Sequence, residues 1–251
     1  MGKNKIKSNL KTLRVLRESG ISDNLSNSPI NRFEIISPKL NKKPKINASN
    51  KVQLVKLSTE KQLSKIQNIE ELKLYINNFK GCDLYKSATN AVFSDGNEKA
   101  KIMLIGEAPG HDEDLEGKPF VGRSGKLLDK MLNAIDLDRE KVYIANIIPW
   151  RPPANRRPTK EEIEICLPII LKHIELINPK VLLLLGSTST YALLKNDTPI
   201  TKIRGEWFSL DVNGKKIQTM PTFHPAFLLR QPKQKKHVWT DLQNVRDSIS
   251  K

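Results

Sequence analysis

The chain reads as an α/β protein, a three-layer α/β/α domain built on a central, mainly parallel four-stranded sheet. Three observations lead there. Strand-like and helix-like segments alternate in series: Lys101–Ile105 then Ser124–Ile135, Val142–Ile148 then Thr159–Ile177, and Val181–Leu185 then Ser187–Leu194. Serial βα units build parallel sheets with helices on both faces. Val181–Leu185 is apolar at every position, as a strand covered on both sides tends to be. Finally, four strand ends run into loops that a stable sheet does not need: Gly106-Glu-Ala-Pro-Gly110, Asn146, Gly186-Ser-Thr188 and Pro221-Thr-Phe-His-Pro-Ala226. In an open α/β sheet the carboxyl ends of parallel strands line one crevice, where ligands sit.

Taken in order, Leu10, Leu13 and Leu16 recur at helical spacing before Gly20, which predicts a short amphipathic helix. Residues 21–57, rich in Asn, Ser, Lys and Pro, read as a mobile linker. Residues 1–57 are thus expected to be a basic extension and residues 58–251 the folded domain. From Thr59 to Phe79 the positions Leu63, Ile66, Ile69, Leu72 and Ile76 form a helical stripe that should cover one edge of the core. The three βα units follow, and Thr159-x-x-Glu162 marks the start of the second helix as a capping box. Trp207–Val212 and Lys216–Met220 flank Asn213-Gly214, a strong hairpin signal. A helix over Gln234–Ile249 closes the chain.

The 251 residues carry a formal charge of +16, and residues 1–60 hold 13 Lys+Arg against 4 Asp+Glu. Both portions are basic, which favours a polyanionic partner such as nucleic acid but equally suits a merely solvated surface. Cys82 and Cys166 form no short-spaced metal or redox motif, as expected for a reducing compartment. No apolar run approaches the about 20 residues of a membrane span. The start lacks an apolar signal-peptide core, and Ile6 stands where a myristoylation motif needs Ser or Thr. A cytoplasmic, nucleoid-associated monomer is the expectation.

Several ordered motifs narrow the function. Gly106-Glu-Ala-Pro-Gly110, Glu113-Asp114, Gly117-Lys-Pro-Phe-Val-Gly-Arg-Ser-Gly125, Arg151-Pro-Pro and His224-Pro-Ala-Phe-Leu-Leu-Arg230 resemble those of family 4 uracil-DNA glycosylases, from about Gly81 to Leu242. The resemblance implies a uracil-DNA glycosylase-like fold and hydrolysis of the bond between deoxyribose and uracil in DNA, leaving an abasic site. That reaction builds positive character on the sugar and negative charge on the departing base.

The implied roles have plainer alternatives when each residue is taken alone. Glu107 would orient water and offset the sugar charge, though a tight turn often carries a solvated Glu. Gly106 and Ala108 would let backbone approach the base. Phe120 would stack on the uracil face, although a loop Phe is more often core. Asn146, ending an apolar strand, has an amide able to donate and accept at the O4 and N3 edge, or is a strand-end turn residue. His224 would donate to the uracil oxygen on which charge collects, although a lone His before Pro is usually structural. Leu228, Leu229 and Arg230 would fill the gap left by an extruded nucleotide and grip the backbone, or form the first turn of a buried helix. Arg123 and the further cations Arg151, Arg156, Arg157, Lys233, Lys235 and Lys236 suit phosphate contacts, each steepening the salt dependence of binding by about 0.9 in log–log slope.

The chain departs from the family at one place. Most family 4 enzymes hold a [4Fe-4S] cluster on four cysteines. Cys82 and Cys166 fit the second and fourth positions, while Phe79 and Trp150 stand at the first and third. Neither ring ligates iron as a thiolate does, so the expectation is a lost cluster with an aromatic plug in its volume, and no cofactor required. Asn155-Arg-Arg-Pro-Thr159 also lacks the histidine of relatives that trap uracil-DNA covalently, which favours turnover. A non-catalytic or uracil-trapping nucleic-acid-binding module is the alternative. A nucleotide or phosphate-ester hydrolase is a third reading, weakened by the absence of a P-loop lysine.

Overall fold

A six-stranded sheet organises the protein, whose structure is a computed structural model describing residues 48–249. Strands β1 (Asp95–Gly96), β2 (Ile102–Gly106), β3 (Val142–Asn146), β4 (Val181–Leu185), β5 (Phe208–Val212) and β6 (Lys215–Thr222) lie in the order β1-β3-β2-β4-β6-β5. The middle four, β3, β2, β4 and β6, are mutually parallel, and the two edge strands run antiparallel. The parallel four are those expected, but the sheet is wider than four. Residues 95–96 are too short a run to show periodicity, and the first strand of the Asn213-Gly214 hairpin adds the other edge. At that turn Asn213 (φ 52°) and Gly214 (φ 81°) both take positive φ, with Val212 paired to Lys215, the geometry that a two-residue Asn-Gly hairpin requires.

Helices cover both faces: α1 (Ala48–Leu63), α2 (Ile69–Asn78), α3 (His111–Glu116), α4 (Arg123–Asn133), α5 (Lys160–Ile177), α6 (Ser187–Leu194), α7 (Ile200–Ile203), α8 (Pro225–Arg230) and α9 (Lys235–Ile249). Alternate residues of the strands feed two separate cores. Met103, Ile105, Tyr143, Ala145, Leu182 and Leu184 pack with α1, α2 and α5 on one side. Ile102, Leu104, Val142, Ile144, Val181 and Leu183 pack with α4, α8 and α9 on the other. Every residue of β2, β3 and β4 is buried, so the sheet is the middle of three layers.

Two expectations need correction. The linker anticipated through residue 57 does not hold from Ala48 onward, where α1 begins. Val55 packs on the core, Thr59 and Leu63 are buried below it, and Lys56 Nζ lies 3.3 Å from Glu164 of α5. Those contacts supply the tertiary packing that a polar segment with sparse apolar residues needs in order to be helical. The stripe from Leu63 to Ile76 is buried throughout, but it is divided between two helices and the connection that holds Ile66. The chain breaks at Asn68, whose side chain caps α2 by accepting from the Glu71 N–H at 2.9 Å. The expected helix around Leu10, Leu13 and Leu16 lies outside the described residues.

Candidate active site

The strand order sets where a ligand can sit. From β2 the chain first adds β3 on one side and then crosses to add β4 and β6 on the other. Such a reversal opens a crevice beyond the carboxyl ends of the strands. Gly106 is paired with Asn146, and Leu185 with Thr222, so the ends of β2, β3, β4 and β6 stop at one level. The loops carrying Glu107, Asn146, Gly186 and His224 therefore meet. A cavity of about 200 Å³ lies there, lined by Glu107, Ala108, Phe120, Asn146 and His224 among others.

Gly106 lies directly behind two of the lining side chains. A Cβ at that position would stand 2.3 Å from Asn146 Oδ1 and 2.6 Å from the Phe120 ring, so only glycine lets the amide and the ring share this space. Phe120 is buried with φ 56°, a left-handed conformation unusual for a bulky residue. Its ring lies 5.6 Å from that of His224, tilted by 31°. Asn146 Oδ1 is buried with no hydrogen-bond partner among the described residues. A buried acceptor left unpaired is costly, and one at the wall of a cavity is placed to receive a donor from a ligand.

His224 is the N-cap of α8, and its Nδ1 accepts from the Ala226 N–H at 3.1 Å. An imidazole that accepts on Nδ1 carries its proton on Nε2. Burial, aided by the Arg230 charge, pushes the His224 pKa down to about 4. The side chain is thus a neutral donor at physiological pH. Behind it, a Cβ on Gly186 (φ 96°) would stand 3.0 Å from His224 Cβ, so the turn after β4 backs the histidine closely. Glu107 is held from the same turn: the Thr188 hydroxyl donates to its Oε2, and among the described residues none donates to Oε1.

Other residues with evident work at the site escaped sequence reasoning. Glu113 accepts from Gly110 N–H at 3.1 Å and from Gly122 N–H at 2.9 Å, tying the Glu107 loop to the Phe120 loop. Thr188 lay in a loop singled out above without a role. Asp241, wholly buried in α9, accepts from Thr222 Oγ1 at 2.6 Å and pairs with Arg204, anchoring the end of β6 two residues before His224.

Of the expected DNA-contacting residues, Arg156 lines the cavity and the others lie outside its lining, where they divide among themselves. Leu228 is wholly buried in the core beside α4 and α9, which corrects its expected role as a wedge, because a side chain that packs the domain is not available to enter DNA. Leu229 (39% exposed) and Arg230 point outward. Arg123, Arg157, Lys233, Lys235 and Lys236 are also exposed. Arg156 instead grips Glu162 with two hydrogen bonds, at 2.9 and 2.6 Å.

At the place of the family's cluster, Phe79 and Trp150 stack with centroids 5.9 Å apart and planes within 17°. Both are buried beside Cys82 and Cys166. The neighbouring Cys82 thiol together with burial holds the Cys166 thiol well above its usual range. Among the described residues no group of three or more His, Cys, Asp or Glu side chains is placed to hold a metal ion. The residues present do not fit a four-thiolate cluster.

Fold and site together define an α/β protein whose cavity lies beyond the carboxyl ends of its parallel strands. The Uracil DNA glycosylase superfamily profile matches residues 93–243. The chain is 44% identical over 174 residues to the type-4 uracil-DNA glycosylase of Saccharolobus solfataricus, covering 67% of this chain and 81% of that protein. It is 38% identical over 190 residues to that of Archaeoglobus fulgidus (74% and 96%) and 40% over 187 residues to that of Sulfurisphaera tokodaii (72% and 85%). The chain belongs to the uracil-DNA glycosylase superfamily.

Proposed function

We infer that the protein is a monofunctional uracil-DNA glycosylase, hydrolysing the N-glycosidic bond of deoxyuridine in DNA and initiating base excision repair. The observation that carries this is the convergence of Glu107, Phe120, Asn146 and His224 on one cavity, with Asn146 Oδ1 unpaired and the His224 tautomer set by Ala226.

An extruded uracil offers what these groups lack. Its N3–H satisfies the Asn146 carbonyl oxygen, and its O4 accepts from the amide. Cytosine presents an acceptor at N3 and donors at the 4-position, so both contacts turn repulsive. A site built to hydrogen-bond one edge rejects the other strongly for this reason. Phe120 supplies a stacking face, worth about 1–3 kcal/mol per base but blind to base identity. As the bond to the sugar breaks, negative charge moves onto the base. The His224 Nε2–H donates to O2, where a preorganised donor is worth about 2.7–4 kcal/mol. The Glu107 carboxylate, steadied on one oxygen by Thr188, faces the developing sugar cation and orients water with the other.

The reading extends to features supported less directly. The enzyme works without an iron–sulfur cluster, the stacked Phe79–Trp150 pair filling that volume. It acts as a monomer on double- or single-stranded DNA in the cytoplasm. Extrusion costs a few kcal/mol and less from a mispair, which favours uracil opposite guanine and in single strands. No described helix is long and apolar enough to cross a membrane.

The test is incubation with a uracil-bearing oligonucleotide followed by alkali, which cleaves abasic sites. Strand scission dependent on the uracil is expected. Intact strands, with an active control enzyme cutting the same substrate, would overturn the reading. Iron and acid-labile sulfide measured on protein purified without oxygen test the cluster separately, and a stoichiometric yield of either would remove the plug.

A further inference from the structure

Arg139 lies outside every motif that led to the site, in the turn between α4 and β3. Its guanidinium nevertheless engages four of the five N–H groups that an arginine carries. Nε donates to Asp129 Oδ1 at 2.8 Å, Nη1 to Asp95 Oδ2 at 2.6 Å and to the Pro119 carbonyl at 3.1 Å, and Nη2 to the Phe120 carbonyl. Two carboxylates thus fix the fork from outside, and the fork grips two consecutive carbonyls of the loop that bears the stacking ring.

Phe120 is the residue that needs such a grip. Its φ of 56° is disfavoured for an L residue, and conformations of that kind persist only where the surroundings over-determine them. The first turn of α4 presses on the same peptide: a Cβ on Gly125 would stand 1.6 Å from the Phe120 carbonyl oxygen. On the far side the ring closes over Gly106 and meets His224. Ion pairs as exposed as those of Arg139, whose side chain is 26% accessible, contribute little to stability by themselves. They also do not require an arginine, whereas holding two carbonyls and two carboxylates in one plane does.

We propose that Arg139 is a positioning residue for base recognition: by gripping the Pro119 and Phe120 carbonyls it holds Phe120 in its left-handed conformation and aims the ring at the extruded base. This rests on the glycosylase reading above. Arg139 does not line the cavity, so its effect passes through the Pro119–Phe120 backbone that it grips.

Arg139→Lys and Phe120→Ala, singly and combined, should be assayed for uracil release in single turnover across a range of protein concentration, with unfolding midpoints measured alongside. Arg139→Lys is expected to weaken kcat/KM about tenfold, equivalent to about 1.4 kcal/mol, and chiefly by raising the half-saturating concentration. In the Phe120→Ala background the same change is expected to cost less than about twofold, because residues that act through one another are not additive. An equal fold-loss in both backgrounds, or a Lys variant at the parent rate, would overturn the proposal. If Arg139→Lys is unfolded at the assay temperature, Asp129→Asn loosens the fork while keeping the arginine, and a smaller loss that again vanishes without Phe120 is expected. A parent protein that releases no uracil would defeat the functional reading itself; an active parent with unaffected variants defeats only the role of Arg139.

Discussion

At the scale of single residues, the site depends on what is missing as much as on what is present. Gly106 contributes no side chain, and a methyl there would stand 2.3 Å from Asn146 Oδ1 and 2.6 Å from Phe120. Both obstructing atoms are ends of side chains, so Gly106→Ala should displace the site and not the sheet. We expect at least a tenfold loss in uracil release with an unfolding midpoint close to the parent's; a variant with parental activity would show that the placement of Asn146 and Phe120 does not set the rate. His224→Ala removes both the Nε2–H donor and the Nδ1 cap on Ala226. The first loss predicts a rate lower by about 100- to 1,000-fold, and the second about 1 kcal/mol of stability. A rate loss no larger than the stability loss explains would remove the donor role. Among the residues that meet at the cavity, Glu107, Asn146 and His224 were legible because they stand at strand ends, and Phe120 through the motif Gly117–Gly125 that carries the resemblance. Arg139 and Asp241 were not, because each reaches the site through a contact about twenty residues away in sequence, with Phe120 and Thr222 respectively. Nothing in local pattern reports such a contact. Leu228 was misjudged because an apolar pair in a short helix looks alike whether it faces water or core, and only packing separates it from Leu229.

At the scale of elements, periodicity succeeded where an element is long or wholly buried. Val181–Leu185 and Ser187–Leu194 form the strand and helix expected, residue for residue. It failed where polar contacts make the element. Helix α3 consists of His111-Asp-Glu-Asp-Leu-Glu116 and shows its solvent-exposed leucine, Leu115, as its one apolar side chain. It is held by Glu113 reaching back to Gly110 N–H and by Asp114 accepting from the backbone of Thr89 and Asn90. Helix α5 is the opposite case, announced by its capping box. Thr159 Oγ1 accepts from Glu162 N–H at 3.2 Å, and Glu162 Oε2 accepts from Thr159 N–H at 2.8 Å. Thr159→Ala is therefore expected to cost about 1 kcal/mol in denaturant unfolding while leaving the rate per folded molecule unchanged. Arg156 leans on the same Glu162, so a drop in activity beyond the loss of folded protein would mean that this cap also shapes the cavity wall on which Arg156 lies.

At the scale of the molecule, two histidines stay neutral, one inside a core and one at the cavity. His173 is buried in the helix α5 side of the sheet, its Nε2 2.7 Å from the Tyr143 hydroxyl and its ring stacked on Phe93 at 4.6 Å. Burial pushes its pKa down to about 3. His224, at the mouth of the other layer, is pushed down to about 4 by burial and the Arg230 charge. In the unfolded chain both take up a proton near pH 6.5. Between that pH and their folded values the unfolded state binds protons that the folded state refuses, so stability falls as pH falls through this window. By pH 5 the loss is about 2 kcal/mol for each histidine, by the free energy of one pKa unit. Carboxylates with lowered pKa, such as Glu162 under Arg156, act in the same direction but only nearer pH 4, so the interval from pH 7 to 5 isolates the histidines. Urea midpoints across that interval should decline for the parent and decline about half as steeply for His173→Gln. Parallel declines would mean that His173 is charged within the fold, and the hydrophobic layer between α5 and the sheet would then have to be open to water.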